Sequence, residues 1–313
     1  MAKQNPYVIH PQRTQIALAY RNEATDYIAD AVLPRISTAE KFSYNVFDKG
    51  TFLKIPESKP IGRKGAVPEI TGQGRELTAS TNDYAIDEVV PLADIKTYQA
   101  GLTAIDPEEV AAMRLSDYLL LQREARVAKL VTDPATYVSG NSVALSGANK
   151  WSDPSSDPVK TLLMQMDKMF RRPNTVVMGQ TAHTALVTHP KIVSAYNRTN
   201  GVSGVVPDSS LAALLGVREV IVGMAWGDTA APGQDPLLGR IWGDSVAMFY
   251  KNALSVDTRS ATFGFTAQYE DQTSADFYDF NKGVRGGNVQ RLYWSLNEVI
   301  MAPDYGFLFQ TTT

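Results

Sequence analysis

The chain has 313 residues, room for two ordinary domains or one large one, and its 44% hydrophobic and 20% charged content supplies packed cores and excludes a disordered polymer. A net charge of −3 excludes a dedicated DNA-binding protein, whose phosphate contacts demand a clearly basic face, although local basic patches remain allowed. The absence of cysteine removes disulfide frameworks, thiolate zinc sites, iron–sulfur clusters and cysteine nucleophiles together.

Met1 to Tyr20 holds His10, Pro11, Gln12 and Arg13 where a signal peptide needs an apolar run, and no stretch approaches the roughly 18 consecutive apolar residues of a membrane span. The expectation is a soluble protein made in the cytoplasm, with no membrane partner. The first fifty residues alternate short apolar pairs, such as Ile16 with Leu18 and Val32 with Leu33, with polar residues and Pro6, Pro11 and Pro34. Lys3, Arg13 and Arg21 face no acid up to position 21. This is poor core material, and it reads either as a solvated terminus or as an arm laid on another subunit.

Two strand-like runs follow, Phe42–Val46 and Thr51–Ile55, and a matching run, Asp83–Val90, returns about thirty residues later. Between them, Pro56 to Gly74 is rich in proline and glycine. Lys49, Lys54, Lys59, Arg63 and Lys64 stand against the single acid Glu57 between positions 49 and 65. The simplest arrangement is a long two-stranded hairpin with a basic tip. Because a lone ribbon is marginal in water, it is either disordered, folded back on its own domain, or laid across a neighbour.

Ala104 to Thr132 predicts a long helix: Asp106 suits the N-cap, Pro107 the first turn, and Glu108 and Glu109 the positive end of the dipole. Ala111, Leu115, Tyr118, Leu121, Ala125 and Ala128 form one stripe, flanked by Arg114, Arg123, Arg126 and Lys129, which predicts a rib lying over a sheet. Asp157 and Pro158 open a second helix that buries Val159, Leu162, Leu163, Met166, Met169 and Phe170 and stops at Arg171-Arg172-Pro173.

From Asn174 the pattern becomes α/β. Thr175–Met178 is a buried strand, Thr181 to Asn197 a helix interrupted near His189-Pro190, and Val220–Val222, Gly239–Trp242 and Val246–Tyr250 further strands. The last section is β-rich, with Phe263, Phe265 and Tyr269, then Leu292, Trp294 and Leu296, then Phe307 and Phe309 in alternation. This section and the second helix are expected to sandwich the rib.

The search for chemistry is mostly negative. His10, His183 and His189 are the only histidines, and no GxSxG elbow or metal-ligand spacing accompanies them; His183 and His189 read as ordinary helix residues. Gly62–Gly65 and Gly283–Gly287 are read as turns, since neither lies between a buried strand and a helix. No catalytic residue, cofactor or metal is expected. Glu270, Asp271, Asp276 and Asp279 form an acidic run without an interleaved base. Paired with the basic stretch Lys49, Lys54, Lys59, Arg63 and Lys64, it suggests complementary faces that meet between copies and set register more than affinity.

The order of elements, with Asp106-Pro-Glu-Glu opening the rib, Asn174 to His183 as strand and helix, Leu214–Val217, and Gly239 to Val246, resembles the tailed-phage major capsid proteins of the Hong Kong ninety-seven type. The resemblance implies an α+β capsid fold with an N-terminal arm at 1–47, an extended β-hairpin loop at 48–95, a peripheral domain with a long spine helix at 96–173, an α/β axial domain at 174–254, and a return to the peripheral sheet at 255–313. It implies a head protein that assembles with copies of itself, as pentamers and hexamers, into an icosahedral shell around double-stranded DNA contacted non-specifically. A scaffolding protein, a portal and a decoration protein are the further implied partners. The implied locations are the virion capsid and, during assembly, the host cytoplasm. Two other readings stay open: a prokaryotic encapsulin-like nanocompartment protein, and a soluble α/β enzyme whose hairpin is a lid.

Overall fold

The computed structural model describes residues 8–9, 27–46, 75–102, 105–197, 204–228, 230, 233–235, 237–252 and 262–313. Two five-stranded sheets organise them. In chain order the strands are β1 (Val8–Ile9), β2 (Arg35–Ser37), β3 (Lys41–Val46), β4 (Arg75–Ser80), β5 (Asn82–Pro91), β6 (Ser142–Ala144), β7 (Thr175–Gly179), β8 (Glu219–Gly223), β9 (Trp226–Asp228), β10 (Leu238–Arg240), β11 (Val246–Phe249), β12 (Gly264–Asp279), β13 (Gly287–Ile300) and β14 (Gly306–Gln310). The helices are α1 (Ala29–Val32), α2 (Leu92–Gln99), α3 (Pro107–Val131), α4 (Pro158–Lys168), α5 (Gln180–Val187), α6 (Pro190–Asn197) and α7 (Asp208–Leu215).

The first sheet is a long antiparallel one ordered β1-β12-β13-β5, with β2 running parallel to β12 on the edge that also takes β1. The rib helix α3 lies across it. Asp106 accepts the Glu108 N–H at 2.9 Å and Pro107 occupies the first turn, as the sequence predicts. At 25 residues, α3 spans about 37 Å. Its buried face is Ala111, Ala112, Leu115, Ser116, Leu119, Arg123, Glu124, Val127, Ala128 and Val131. The expected stripe is therefore turned: Tyr118 and Ala125 are exposed, and Arg123, expected at the flank, points inward. Leu115 and Leu119 meet Leu292, Trp294 and Leu296 from β13, with Tyr84 and Ile86 of β5 alongside.

That packing explains a second departure. Asp83–Val90 does not return the hairpin; it pairs with β13, from Asn82 opposite Leu296 to Pro91 opposite Gly287, because alternate residues Tyr84 and Ile86 find the rib there. The strand paired with β3 is β4, Lys41 facing Ser80 and Val46 facing Arg75. Phe42 and Tyr44 anchor this ribbon against Phe265, with ring centroids 6.3 and 6.4 Å away. The strand expected at Thr51–Ile55 lies outside the described residues.

The second sheet is ordered β6-β14-β11-β7-β8. Its alternation splits two cores. Val176, Met178, Val246, Met248, Phe307 and Phe309 face α4, α5, α6 and α7, whereas Val177, Ala247, Phe249 and Leu308 face the end of α3 and the chain around Val32 and Leu33. The helix α4, capped by Asp157 accepting the Lys160 N–H at 3.1 Å, thus belongs to the second sheet and does not sandwich the rib. Likewise β14 leaves the long sheet and inserts between β6 and β11. The helix expected over Thr181–Asn197 is two, broken at His189-Pro190 as the sequence indicates.

Candidate assembly surfaces

One buried polar cluster ties the two sheets and the entering chain together. Glu124, fully buried on α3, accepts the Ile28 N–H at 3.0 Å, the Ala29 N–H at 2.8 Å and the Trp242 indole N–H at 2.6 Å. Burial pushes its carboxyl up, and these three donors work against that rise. Beside it, Arg123 is 1% exposed, with Nη1 2.7 Å from Asp30 Oδ1 and Nη2 donating to Leu33 O and Thr266 Oγ1. Burial also raises the Asp30 carboxyl, but Arg123 and Arg35 carry it below the usual carboxylate range. The rib thus grips residues 28–33 and through Trp242 holds the turn between β10 and β11. Sequence reasoning missed Arg123, Glu124, Asp30 and Trp242 as a unit. The available signal was spacing: Arg123 follows Leu115 and Leu119 at intervals of four, on the stripe itself.

The acidic run is divided by a bulge. Tyr269 faces Ser295 and Thr273 faces Tyr293, so Glu270, Asp271 and Gln272 stand opposite Trp294 alone. Glu270 has φ 58°, and Gln268 Nε2 donates to its carbonyl at 3.0 Å while Thr273 Oγ1 donates to Asp271 O at 3.0 Å. Asp276 accepts from Asn288 Nδ2 at 3.0 Å, and Asp279 accepts the Asn281 N–H at 2.9 Å at the far end of β12. Nine residues of strand put Glu270 and Asp279 about 25–30 Å apart, so the run is a charged edge and not one cluster. The strand β1 lies along this edge, Val8 facing Asp276 and Ile9 facing Ala275. Lys49, Lys54, Lys59, Arg63 and Lys64 lie outside the described residues; the β3–β4 ribbon brackets them.

The two described histidines are held structurally, and His10 lies outside the described residues. His189 is a junction residue and not a helical one: its Nδ1 accepts the Lys191 N–H at 3.2 Å, which places the proton on Nε2, facing Asp153 O at 3.2 Å and Ser156 Oγ at 3.1 Å. That tautomer cannot take a proton from Ser156. His183 Nε2 lies 2.7 Å from Asp208 Oδ1. Among the described residues, no group of three or more histidines and carboxylates could hold a metal ion, and no helix is long and apolar enough to cross a membrane.

The family described as Phage major capsid protein E matches residues 137–221. The chain is 40% identical over 306 residues to the major capsid protein of Pseudomonas phage JBD67, covering 97% of each chain. Its fold is similar to that of a phage-related protein from Bordetella bronchiseptica RB50, with a TM-score of 0.74, 21% identity and coverage of 98% and 99%. It is similar also to the capsid of cyanophage P-SCSP1u, with a TM-score of 0.57, 9% identity and coverage of 89% and 86%. The architecture is the α+β capsid fold of the Hong Kong ninety-seven type. The chain belongs to the major capsid proteins of tailed phages, the structural subunits of the capsid shell.

Proposed function

We propose that copies of this chain close into an icosahedral shell through pentamers and hexamers and enclose double-stranded DNA, with a purely structural role and no catalysis. The observation that carries this reading is the near full-length likeness to a phage major capsid protein. Among the described residues, the β3–β4 ribbon is rooted by Phe42 and Tyr44 at one end, and the residues of β4 are exposed or half-buried. Such elements gain their remaining burial from neighbours, and an interface of standard size needs about 1,600 Å² in total.

In this reading residues 48–95 include the loop that lies over an adjacent subunit, with Lys49, Lys54, Lys59, Arg63 and Lys64 facing the edge marked by Glu270, Asp271, Asp276 and Asp279 of that subunit. The arm spans 1–47, and the rib with the long sheet forms the peripheral part. The axial part is 174–254, and the second sheet's use of β6 and β14 extends it to pieces of 142–170 and 303–313. A scaffolding protein and portal act during assembly in the host cytoplasm, a decoration protein is a further partner, and the net charge of −3 suits a container that holds DNA without gripping it. Hydrogen exchange tests the proposal: amides at 47–74 gain protection in assembled particles relative to the dilute chain. Full protection already in the dilute chain contradicts it.

A further inference from the structure

One end of the second sheet gathers the segments 167–174, 216–219, 250–252 and 303–305. Thr175, at the start of β7, faces Phe249 of β11 and Glu219 of β8, the Tyr250 N–H donates to Tyr305 O at 3.0 Å, and the Arg218 N–H donates to Asn174 O at 2.8 Å. These segments carry Lys168, Arg171, Arg172, Arg218 and Lys251 against Asp167, Glu219 and Asp304. Lys168, Arg171, Arg172 and Arg218 are all exposed. Local structure puts them there: α4 ends at Lys168, and Gly216, with φ 68°, closes α7 two residues before Arg218, so two helix C-termini deliver basic residues to one end of the sheet.

Little of this positive charge is cancelled within the chain. Glu219 is occupied by Lys251, whose Nζ lies 2.6 Å from its Oε1, and by Thr175 Oγ1, which donates to it at 3.0 Å. Arg172 stands 3.9 Å from Asp167 with both side chains more than half exposed, a contact that water screens. Lys168, Arg171 and Arg218 are in no ion pair among the described residues. Arg171 is held in place by Tyr250: its guanidinium carbon is 3.7 Å from the ring centroid and its Nη2 donates to the Tyr250 hydroxyl at 2.9 Å. Phe170, 43% exposed, stacks on Tyr305 with ring centroids 6.0 Å apart. The surface is therefore an excess of positive charge with little apolar area left to bury. That suits phosphate oxygens better than a protein partner, whose contact would centre on apolar anchors.

We propose that this end of the second sheet meets the phosphate backbone of duplex DNA, with Lys168, Arg171, Arg172 and Arg218 as the contacting groups. The inference rests on the shell reading and names the surface that faces the enclosed DNA. About four phosphate contacts give a log–log salt slope of about −3.6, so the affinity of one copy falls about a hundredfold for an about fourfold rise in salt. Contacts this weak and salt-labile hold a duplex near the wall without fixing it, and they read no sequence.

Binding of the full-length, unassembled chain to a short labelled DNA duplex, followed by fluorescence anisotropy over a series of salt concentrations, tests this. Lys168→Gln with Arg172→Gln and Arg218→Gln is expected to weaken binding at low salt by about tenfold or more and to flatten the salt slope by about 2.7. Lys96→Gln with Lys282→Gln and Arg285→Gln removes the same charge elsewhere and is expected to change the affinity by less than about threefold. Equal losses in the two variants, or a wild-type affinity that does not respond to salt, overturn the proposal. Should the first variant fail to fold, Lys168→Gln with Arg218→Gln takes its place, with the slope flattened by about 1.8. Both variants are expected to form shells in wild-type yield. A folded Lys168, Arg172 and Arg218 variant that forms none shows the surface to be a contact between copies and overturns the DNA assignment. Wild-type chains that bind the duplex as expected yet form no particles would instead contradict the shell reading.

Discussion

The Trp242 indole donates to Glu124 Oε1 at 2.6 Å, joining the middle of the rib helix to the turn before β11 across 118 residues of sequence. The same carboxylate accepts the Ile28 and Ala29 N–H groups, so one side chain fixes the rib, the start of α1 and the turn before β11 to each other. Glu124→Ala leaves three buried donors without an acceptor and is expected to cost about 3–5 kcal/mol, read by urea unfolding of the unassembled chain. A loss below about 1 kcal/mol would show that water or rearrangement replaces the carboxylate.

Acid is expected to strengthen the contribution of this side chain, because burial favours its neutral carboxyl form. The Glu124 carboxyl is raised in the folded chain, so folding binds its proton more tightly than unfolding does. Its contribution to stability is then fully present below the ordinary glutamate value of about 4.3 and is lost as pH rises through the higher folded value. Glu124→Gln removes that dependence. The wild-type chain should therefore gain stability relative to Glu124→Gln as pH falls from 7 towards 4.5, measured as paired melting curves; a constant difference would contradict the assignment.

Asp30 has the opposite sign. Burial raises it, but Arg123 and Arg35 bring it below its usual value, so its contribution is present above about pH 3.9 and lost as pH falls through the lower folded value. Asp30→Asn removes the counter-charge of a guanidinium that is 1% exposed, but the Asp30 side chain is 48% exposed and water screens the pair, so an expected loss of about 1–2 kcal/mol at pH 7 should shrink below pH 3.9. Replacing Arg123 by Met in the same chain should recover most of the loss, since no buried charge is then left unmatched. Paired unfolding curves of the single and double variants check both statements.

Gly223, at the end of β8, lies directly beneath the Trp242 ring, and a Cβ there would fall within the contact distance of Cδ1 and Cγ. Gly223→Ala should displace the indole from Glu124 and cost about 1–3 kcal/mol. Combined with Trp242→Leu the two losses should be less than additive, because both break the same contact; simple additivity in a double-mutant cycle would show them independent.

The local signals in the sequence carried well into the structure. Asp106-Pro107 and Asp157-Pro158 are read correctly as helix starts because capping depends on a few adjacent residues. The break at His189-Pro190 and the buried strand at Thr175 are local in the same sense. What depends on distant partners was not legible. Arg75–Ser80 has one large apolar residue, Leu77, and nothing in it announces pairing with Lys41–Val46. Arg123 and Glu124 look like surface charges until Asp30, Trp242 and the Ile28 amide arrive from far along the chain. The acidic run read as one patch because the bulge at Glu270 and the length of β12, which separate its members, are tertiary facts.

The account rests on the chain being a shell subunit that completes its interior surfaces with other copies of itself. Electron microscopy of the purified full-length protein tests this most directly. Closed shells of uniform diameter are the predicted result, while a monodisperse single chain at micromolar concentration, with no particles under conditions that assemble its relatives, would contradict it.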